Sequence, residues 1–542
     1  MKIKKIIILV SSAILLSACD LDREPGGKIP TKNFFKTEHD VELALMGCYA
    51  KLDNTVYGAY TDGYADDNFC QYPWESNAAI ISAGNINTDL NDGYDYMGIR
   101  RFNFFLEKVN DVKMDEKKKK QYIAEVKVLR ALKFFNLTTK FGPIPFYTKY
   151  IDKSEDGAIA PTAEKEVLEF CVKELKAAVI DLPESPAVKS RIGKAAALAY
   201  LTRVALWQAN WKEAAEASKH IMTMGYSLFK VNTVPQSILD DNYADFVTFK
   251  DAQEKESFCK GLYSYQSLFY DINSGNSEVI LNQEFIPSEY NYMGLYLMAD
   301  NYCGGWSSIT PTVELVNSYW TRNGKKFIAP TKEVRAQRYN NGQYTPEYLN
   351  EFKNRDTRLY ASILFPGVIW NEALKGKKYS WRKTGSNISK TGYNYRKMVD
   401  PENDMWHKVN DHPLIRYAEV LLSYAEAQNE IAGPDQSVYD AINEVRKRVD
   451  MPEVDKATAG SKDAMRELIR NERRIELANE GQRWNDVRRW KISKEVMVNT
   501  YAIDGDLTQK RNWDDKFVRL PYPQSAIDRN PNLKDAQKAK GY

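Results

Sequence analysis

Apolar residues recur at helical spacing in the first two-fifths and the last quarter of the chain. Along residues 415–430, Ile415, Ala418, Leu421, Leu422 and Ala425 fall on one face at a 3.6-residue period, which predicts an amphipathic helix packed along that stripe. Residues 193–207 and 212–224, joined through Asn210-Trp211, predict two antiparallel helices, with Ala196, Ala199, Ala214 and Ala217 where the helices must approach closely. This unit ends at Gly225-Tyr226 and is close to the repeat of about 34 residues of a tetratricopeptide-like hairpin. Residues 121–140 with 164–180, and 419–430 with 438–449, are further candidate pairs. Several stacked pairs bury a continuous core, so the pattern predicts a mainly α fold on a tetratricopeptide-like helical-hairpin scaffold. That scaffold lies mainly in residues 30–225 and 411–542.

Residues 226–410 break the pattern. They are rich in Gly, Asn, Tyr and Trp, have few periodic stretches and exceed any ordinary connection, which predicts a large loop-rich, ligand-facing region. Residues 465–490 read as helical and dense in charge, with seven arginines against five acids. Interleaved signs and the apolar side of Ile469, Ile475, Leu477 and Trp484 favour structural ion pairing over a nucleic-acid surface.

The first residues have a different character. Lys2, Lys4 and Lys5 precede an apolar run, Ile6 to Leu16, which is too short to span a bilayer and ends in Leu16-Ser17-Ala18-Cys19. The expectation is a lipoprotein signal peptide over residues 1–18, lipidation of Cys19, a polar tether over 19–29 and a body over 30–542. Multiple acyl chains anchor durably where one alone is marginal, so the expected address is a membrane, held by lipid on Cys19.

Composition narrows the chemistry. The 542 residues carry 76 basic and 73 acidic side chains, a net charge of +3, so no global field favours nucleic acid. With Cys19 set aside, Cys48, Cys70, Cys171, Cys259 and Cys303 show no C-x-x-C spacing and point to no disulfide in particular. Compact catalytic and zinc signatures are absent, and His39, His220, His407 and His412 form no cluster in the sequence. Asp66-Asp67 is a weak candidate for paired-carboxylate catalysis. The acidic stretch Asp89, Asn91, Asp92 and Asp95 lacks the offsets of a calcium loop and reads as a polar turn. The expectation is a binding protein without cofactor, metal or catalytic residues. Its 34 tyrosines cluster with tryptophans in the non-helical parts, and flat aromatic faces beside Asp and Asn suit sugars.

Several motifs, read in order, then carry a resemblance. They are Cys19-Asp-Leu-Asp-Arg-Glu-Pro25 with Phe34-Phe35; Ala124-Glu125 through Arg130-Ala131 to Phe141-Gly142-Pro-Ile-Pro145; and Arg191 to Ala205. Asn354-Arg-Asp-Thr-Arg358 follows, then Ile415-Arg-Tyr-Ala-Glu419 to Glu426-Ala, and Ile442-Asn443-Glu-Val-Arg446-Lys-Arg448. The series closes with Glu472-Arg473 through Glu480-Gly481 to Trp490, Pro521-Tyr-Pro523 and Asn530-Pro-Asn-Leu533. Over nearly its whole length the chain resembles the SusD/RagB group of outer-membrane lipoproteins, which work with TonB-dependent transporters in glycan-foraging Bacteroidetes.

That resemblance implies a lipid-anchored address on the outward face of the outer membrane and a scaffold that cradles a SusC-like transporter, with the C-terminal motif as scaffold. It also implies a loop-rich part that captures an oligosaccharide and a hinged lid that delivers it without hydrolysis. Ligand contacts are expected from Trp74, Tyr292, Tyr296 and Trp306 as stacking platforms, from Asp67, Asn68 and Asn85 as hydroxyl partners, and from Tyr72 and Trp320 in support. Competing readings are an oligopeptide-binding lid of a RagA-like transporter, an assembly or gating partner without its own ligand site, and a surface glycosidase.

Overall fold

The computed structural model describes residues 35–52, 55–299, 304–402 and 406–542. The expected signal peptide, Cys19, the tether and Cys303 lie outside the described residues. Helices dominate, and the strands described pair into five two-stranded ribbons.

The helices form a neighbour-on-neighbour stack. Glu116–Phe141 packs on Glu164–Asp181, which packs on Lys194–Trp207, which packs on Trp211–Met222. The last of these packs on Tyr417–Ala432, which in turn meets Gln436–Arg448 and Lys462–Glu476. The loop-rich segment is therefore an excursion from a stack that resumes almost 200 residues later. Lys194–Trp207 sits in the middle and is buried nearly all round by alanines, Leu198, Leu201, Val204 and Leu206, as expected of a helix apolar on every side. Helix starts are fixed by side chains: Asp115 accepts from the Lys118 N–H, Asn210 from Glu213, Asp435 from Val438 and Ser461 from Ala464.

Two predicted helices are corrected. Residues 415–416 belong to a strand, His412–Arg416, paired antiparallel with Val279–Gln283; the helix begins at Tyr417. Ile415 reaches the core from that strand, which is why it seemed to extend the helical stripe. The 465–490 stretch is two helices, Lys462–Glu476 and Arg483–Arg489. Between them Gly481 has φ of 79°, and an added Cβ would lie 2.7 Å from the Cα of Gly58. The N–H groups of Gly481 and Arg483 both donate to buried Asp62, so the chain turns there onto residues near the N-terminus.

The loop-rich segment has a core of its own kind. Tyr243, Tyr265, Tyr319, Tyr348, Tyr360 and Trp370 are fully buried, so much of its aromatic density is packing. His412 is also buried, and burial pulls its imidazole down to about 3, which keeps it neutral near pH 7. Cys48, Cys70, Cys171 and Cys259 are buried free thiols.

The arginines of the C-terminal motif are engaged inside the protein. Five cations (Arg358, Lys397, Arg416, Arg446, Arg448) and five carboxylates (Glu278, Asp356, Glu472, Glu476, Glu480) form one buried network. Glu476 is its centre, accepting from Arg416 at 2.7 Å, from Arg358 at 3.2 Å and from Arg448. Burial alone would raise its pKa, but Arg448, Arg416 and Arg358 hold the carboxyl far below its usual range. Neutralising it takes one carboxylate contact from each of three buried guanidiniums and leaves the network with one positive charge in excess, and breaking a buried pair costs about 3–5 kcal/mol. Glu476→Gln is therefore expected to lower the free energy of unfolding by about that amount, read from the denaturant midpoint. A loss below about 1 kcal/mol would show that the network is not needed for stability.

Candidate functional site

A three-residue ribbon organises the surface with the most exposed aromatics. Strand Asn68–Cys70 pairs antiparallel with Ile309–Pro311, with Asn68 opposite Pro311 and Cys70 opposite Ile309. Beyond the ribbon, the Gln71 N–H donates to the Ser308 carbonyl at 3.1 Å. The Gln71 side chain donates to the carbonyls of Trp306 and Ser307 at 2.9 and 2.7 Å. This lock brings two segments more than 200 residues apart, around Trp74 and around Trp306, onto one face.

On that face Trp74 is 77% exposed and stacks on Tyr72, ring centroids 4.8 Å apart at 30°. Tyr72 is held in turn by its hydroxyl, which donates to Asn387 at 2.8 Å. Burial raises the Tyr72 phenol, and nearby Glu75 adds to the effect, so it stays a neutral donor. A cleft of about 650 Å³ opens beside this pair, bordered by Gln71, Trp381, Asn387, Lys383, Asp504 and Asp506. That size lies within the range of small-molecule sites. Asp504 and Asp506 are two residues apart on one turn and share the Lys383 ammonium, at 2.9 Å for Asp504.

The second aromatic group is contiguous with the first. Trp306 is half-buried, 6.0 Å from Tyr292 at 32° and 5.3 Å from Tyr296 at 70°. Tyr296 also meets Tyr60 edge-on at 5.8 Å, and Tyr60 donates to Glu75, one residue beyond Trp74. Trp406, 47% exposed, stands 5.7 Å from Trp306, while Tyr290 touches both Tyr292 and His407. The result is a broken band of ring faces and edges with polar tips.

Five predicted residues, Tyr72, Trp74, Tyr292, Tyr296 and Trp306, are thus brought together. The other four are not. Asp67 is fully buried and bonded by Arg474 at 2.6 Å, beside Asp66, which binds Arg474 and Arg483. Asn68 is fully buried, donates to the Ala59 carbonyl and Asn479, and accepts from Tyr395. Both side chains are closed off from the surface, so both are corrected from hydroxyl partner to structural brace. Their position just before the exposed loop disguised them. Asn85 is exposed at the end of a short helix, Ala78–Ala83, where no contact ties it to the aromatic band. Trp320 lines a different cleft, with Phe327 and Arg470. Sequence reasoning missed Trp406, Asn387 and Trp381, whose nearness to the band depends on pairings far along the chain. Asp92, from the candidate cation stretch, is engaged by Lys140 at 2.6 Å, and no acidic or thiol cluster suited to a metal occurs among the described residues.

Comparison with known proteins settles the family. The model of the "SusD family" matches residues 267–542, just over half of the chain, and a second, "Starch-binding associating with outer membrane", matches residues 21–206. The chain belongs to the SusD family. Among curated relatives, the SusD-like protein P2 of Formosa agariphila is 25% identical over 553 aligned positions, covering 98% of this chain and 99% of that one. Two solved structures from Bacteroides fragilis superpose closely. A SusD-like protein aligns over 93% of this chain and 97% of its own, with a TM-score of 0.78 and 24% identity. A SusD-like carbohydrate binding protein aligns over 92% and 99%, with a TM-score of 0.75 and 27% identity. For this SusD-family chain, the resemblance read from its motifs and the mainly α, tetratricopeptide-like fold both hold.

The geometry separates two roles that are neighbours in sequence. Trp74→Ala removes an exposed ring and is expected to change stability by no more than about 0.5 kcal/mol. Asp66→Asn breaks two buried guanidinium contacts and is expected to cost about 3–5 kcal/mol. Chemical denaturation of the two variants checks the contrast, and equal losses would contradict this division.

Proposed function

We propose that this SusD-family protein is a cell-surface glycan-binding lipoprotein. It captures an oligosaccharide on the Trp74–Trp306 face and delivers it to a TonB-dependent, SusC-like outer-membrane transporter. The observation that carries the proposal is the exposed Trp74 ring, held flat by Tyr72 and Asn387 at the mouth of a cleft whose border supplies amide, ammonium and carboxylate groups. A pre-oriented ring with a small entropic cost of immobilisation is what stacking on a pyranose face requires. Gln71, Asn387, Lys383 and Asp504 are placed to bond hydroxyls. The carbohydrate-binding relative from Bacteroides fragilis and the starch-binding family model support the ligand class. The leader ending at Cys19 supports attachment by lipid; no helix among the described residues is long and apolar enough to cross a membrane.

Binding without hydrolysis is part of the same proposal. Glycoside hydrolysis needs two carboxyl groups flanking the scissile bond, about 5–10 Å apart. Asp504 and Asp506 instead share one ammonium on one turn, and Asp66-Asp67 is buried against arginines.

Calorimetric titration of the chain from Asp20 onward against a panel of neutral and acidic oligosaccharides and a mixed peptide pool tests the reading. Binding of at least one oligosaccharide is expected, weakened about tenfold in Trp74→Ala and in Trp306→Ala, which corresponds to about 1.4 kcal/mol for a lost stacking surface. A peptide signal with no sugar signal would replace the proposal by a peptide-binding lid. Silence with every ligand would leave an assembly partner without its own site.

A further inference from the structure

The cleft that holds Trp320 has its own chemistry. It measures about 630 Å³ and lies along the outer side of the Lys462–Glu476 helix, where four arginines, 466, 470, 474 and 483, line it. Three of them are neutralised: Arg466 by Glu430 and Asp463, Arg474 by Asp67 and Asp66, and Arg483 by Asp66. Arg470 is the exception. Among the described residues its guanidinium has no ion pair and no hydrogen bond, and its Nε is buried without a partner. Its carbon rests 4.9 Å from the ring centre of Trp490. The next residue, Asn471, has a buried Nδ2 that is also unsatisfied. Two adjacent donor side chains thus go unanswered in a cleft whose other cations all have acids.

Leaving a partly buried cation and an amide unpaired is costly unless something binds them. The occupant that answers both is an oxyanion, because the planar guanidinium fork matches a carboxylate or sulfate and the amide adds a neutral donor. The rest of the cleft describes what carries that oxyanion. Trp320 and Phe327 offer apolar ring surface beside the donors, which fits a ring-bearing ligand better than a bare ion. One hairpin links this cleft to the Trp74 cleft. Thr500 donates to Glu314 here at 2.8 Å, while Ala502, Asp504, Asp506, Leu507 and Thr508, in the same hairpin, line the other.

We infer that this cleft is a second saccharide subsite, selective for a sugar bearing a carboxylate or sulfate, with Arg470 and Asn471 binding the oxyanion and Trp320 the ring. This rests on the glycan-binding proposal above and narrows its substrate class to an anionic glycan. Both sources of the charge, a uronate and a sulfate ester, present the same planar or pyramidal oxygens to the guanidinium, and the test separates them.

The chain from Asp20 onward is titrated with a galacturonate oligomer, a sulfated galactan oligomer, a neutral cello-oligosaccharide and a polyglutamate peptide. The expected result is binding of one or both anionic sugars that weakens as salt is raised. Arg470→Met, which keeps the stem packed on Trp490, should weaken that binding about tenfold or more, and Arg470→Lys should recover part of it. Trp74→Ala should leave affinity at this subsite in place. Whichever oligomer shows the Arg470 dependence identifies the oxyanion. Neither anionic sugar binding, or binding unchanged in Arg470→Met, would overturn the inference. So would an Arg470-dependent signal from polyglutamate alone, which would make the cleft a dock for an acidic protein segment. Where the inference is overturned in any of these ways, Trp74-dependent binding of the neutral oligosaccharide to the unsubstituted protein would show that the glycan-binding proposal still stands.

Discussion

A carboxylate with three buried guanidiniums around it can be kept only if every member of the cluster is in place. Glu476 occupies that position, and the chain segments it holds are far apart in sequence: Arg358 from the loop-rich region, Arg416 from the strand that returns to the stack, and Arg448 from the end of the Gln436–Arg448 helix. Glu278 and Lys397 bring two further loop-rich segments to Arg416, Arg448 and Glu480. Signs balance at five and five, so the interior carries this charge without a net field. Such a cluster is weak evidence for great stability, since apolar replacements can equal it. Its effect is on register, because no segment can slip without leaving a charge alone.

This constraint lets a region with little regular secondary structure present a defined surface. The short ribbons of the loop-rich segment would be marginal alone. They are held because Arg355 donates to the carbonyls of Val316, Tyr319 and Glu351, and because buried tyrosines fill the spaces between turns. With its base fixed, the Asn68–Cys70 and Ile309–Pro311 ribbon carries Trp74 and Trp306 to the solvent in set positions. Rings already oriented lose little entropy on binding. The proposed anionic subsite follows from the same economy of charge: in a cleft where the other three arginines have acids, Arg470 has none.

Much of this was legible in the sequence, in proportion to how local the cause is. Helical periodicity located the hairpins to within a few residues because caps and apolar stripes are local signals. The helix expected across 465–490 failed at Gly481, where the turn answers to a distant contact with Gly58. Ion pairing was the correct reading of the arginine-rich motif, though its distant partners could not be named, since Asp66 and Asp67 lie some 400 residues away along the chain. At the ligand face, the exposed aromatics of 72–74 and 292–306 stood out as clusters. Asp67 and Asn68 looked similar, because nothing in an Asp-Asp-Asn triplet reveals which side chains point inward; only the alternation of a strand, visible once its partner is known, does so. Trp406 and Asn387 were invisible as site residues because their place depends on folding across a hundred residues or more.

The central claim is that the charge cluster makes the helical stack and the loop-rich region one cooperative unit. Native-state hydrogen exchange measures this directly. The amides of Val279–Gln283 and Thr357–Ser362 should exchange through the same opening, at the same free energy, as those of Lys462–Glu476, and all three should lose protection together in Glu476→Gln. Exchange of the loop-rich amides through a lower-energy opening, with the helix still protected, would contradict it.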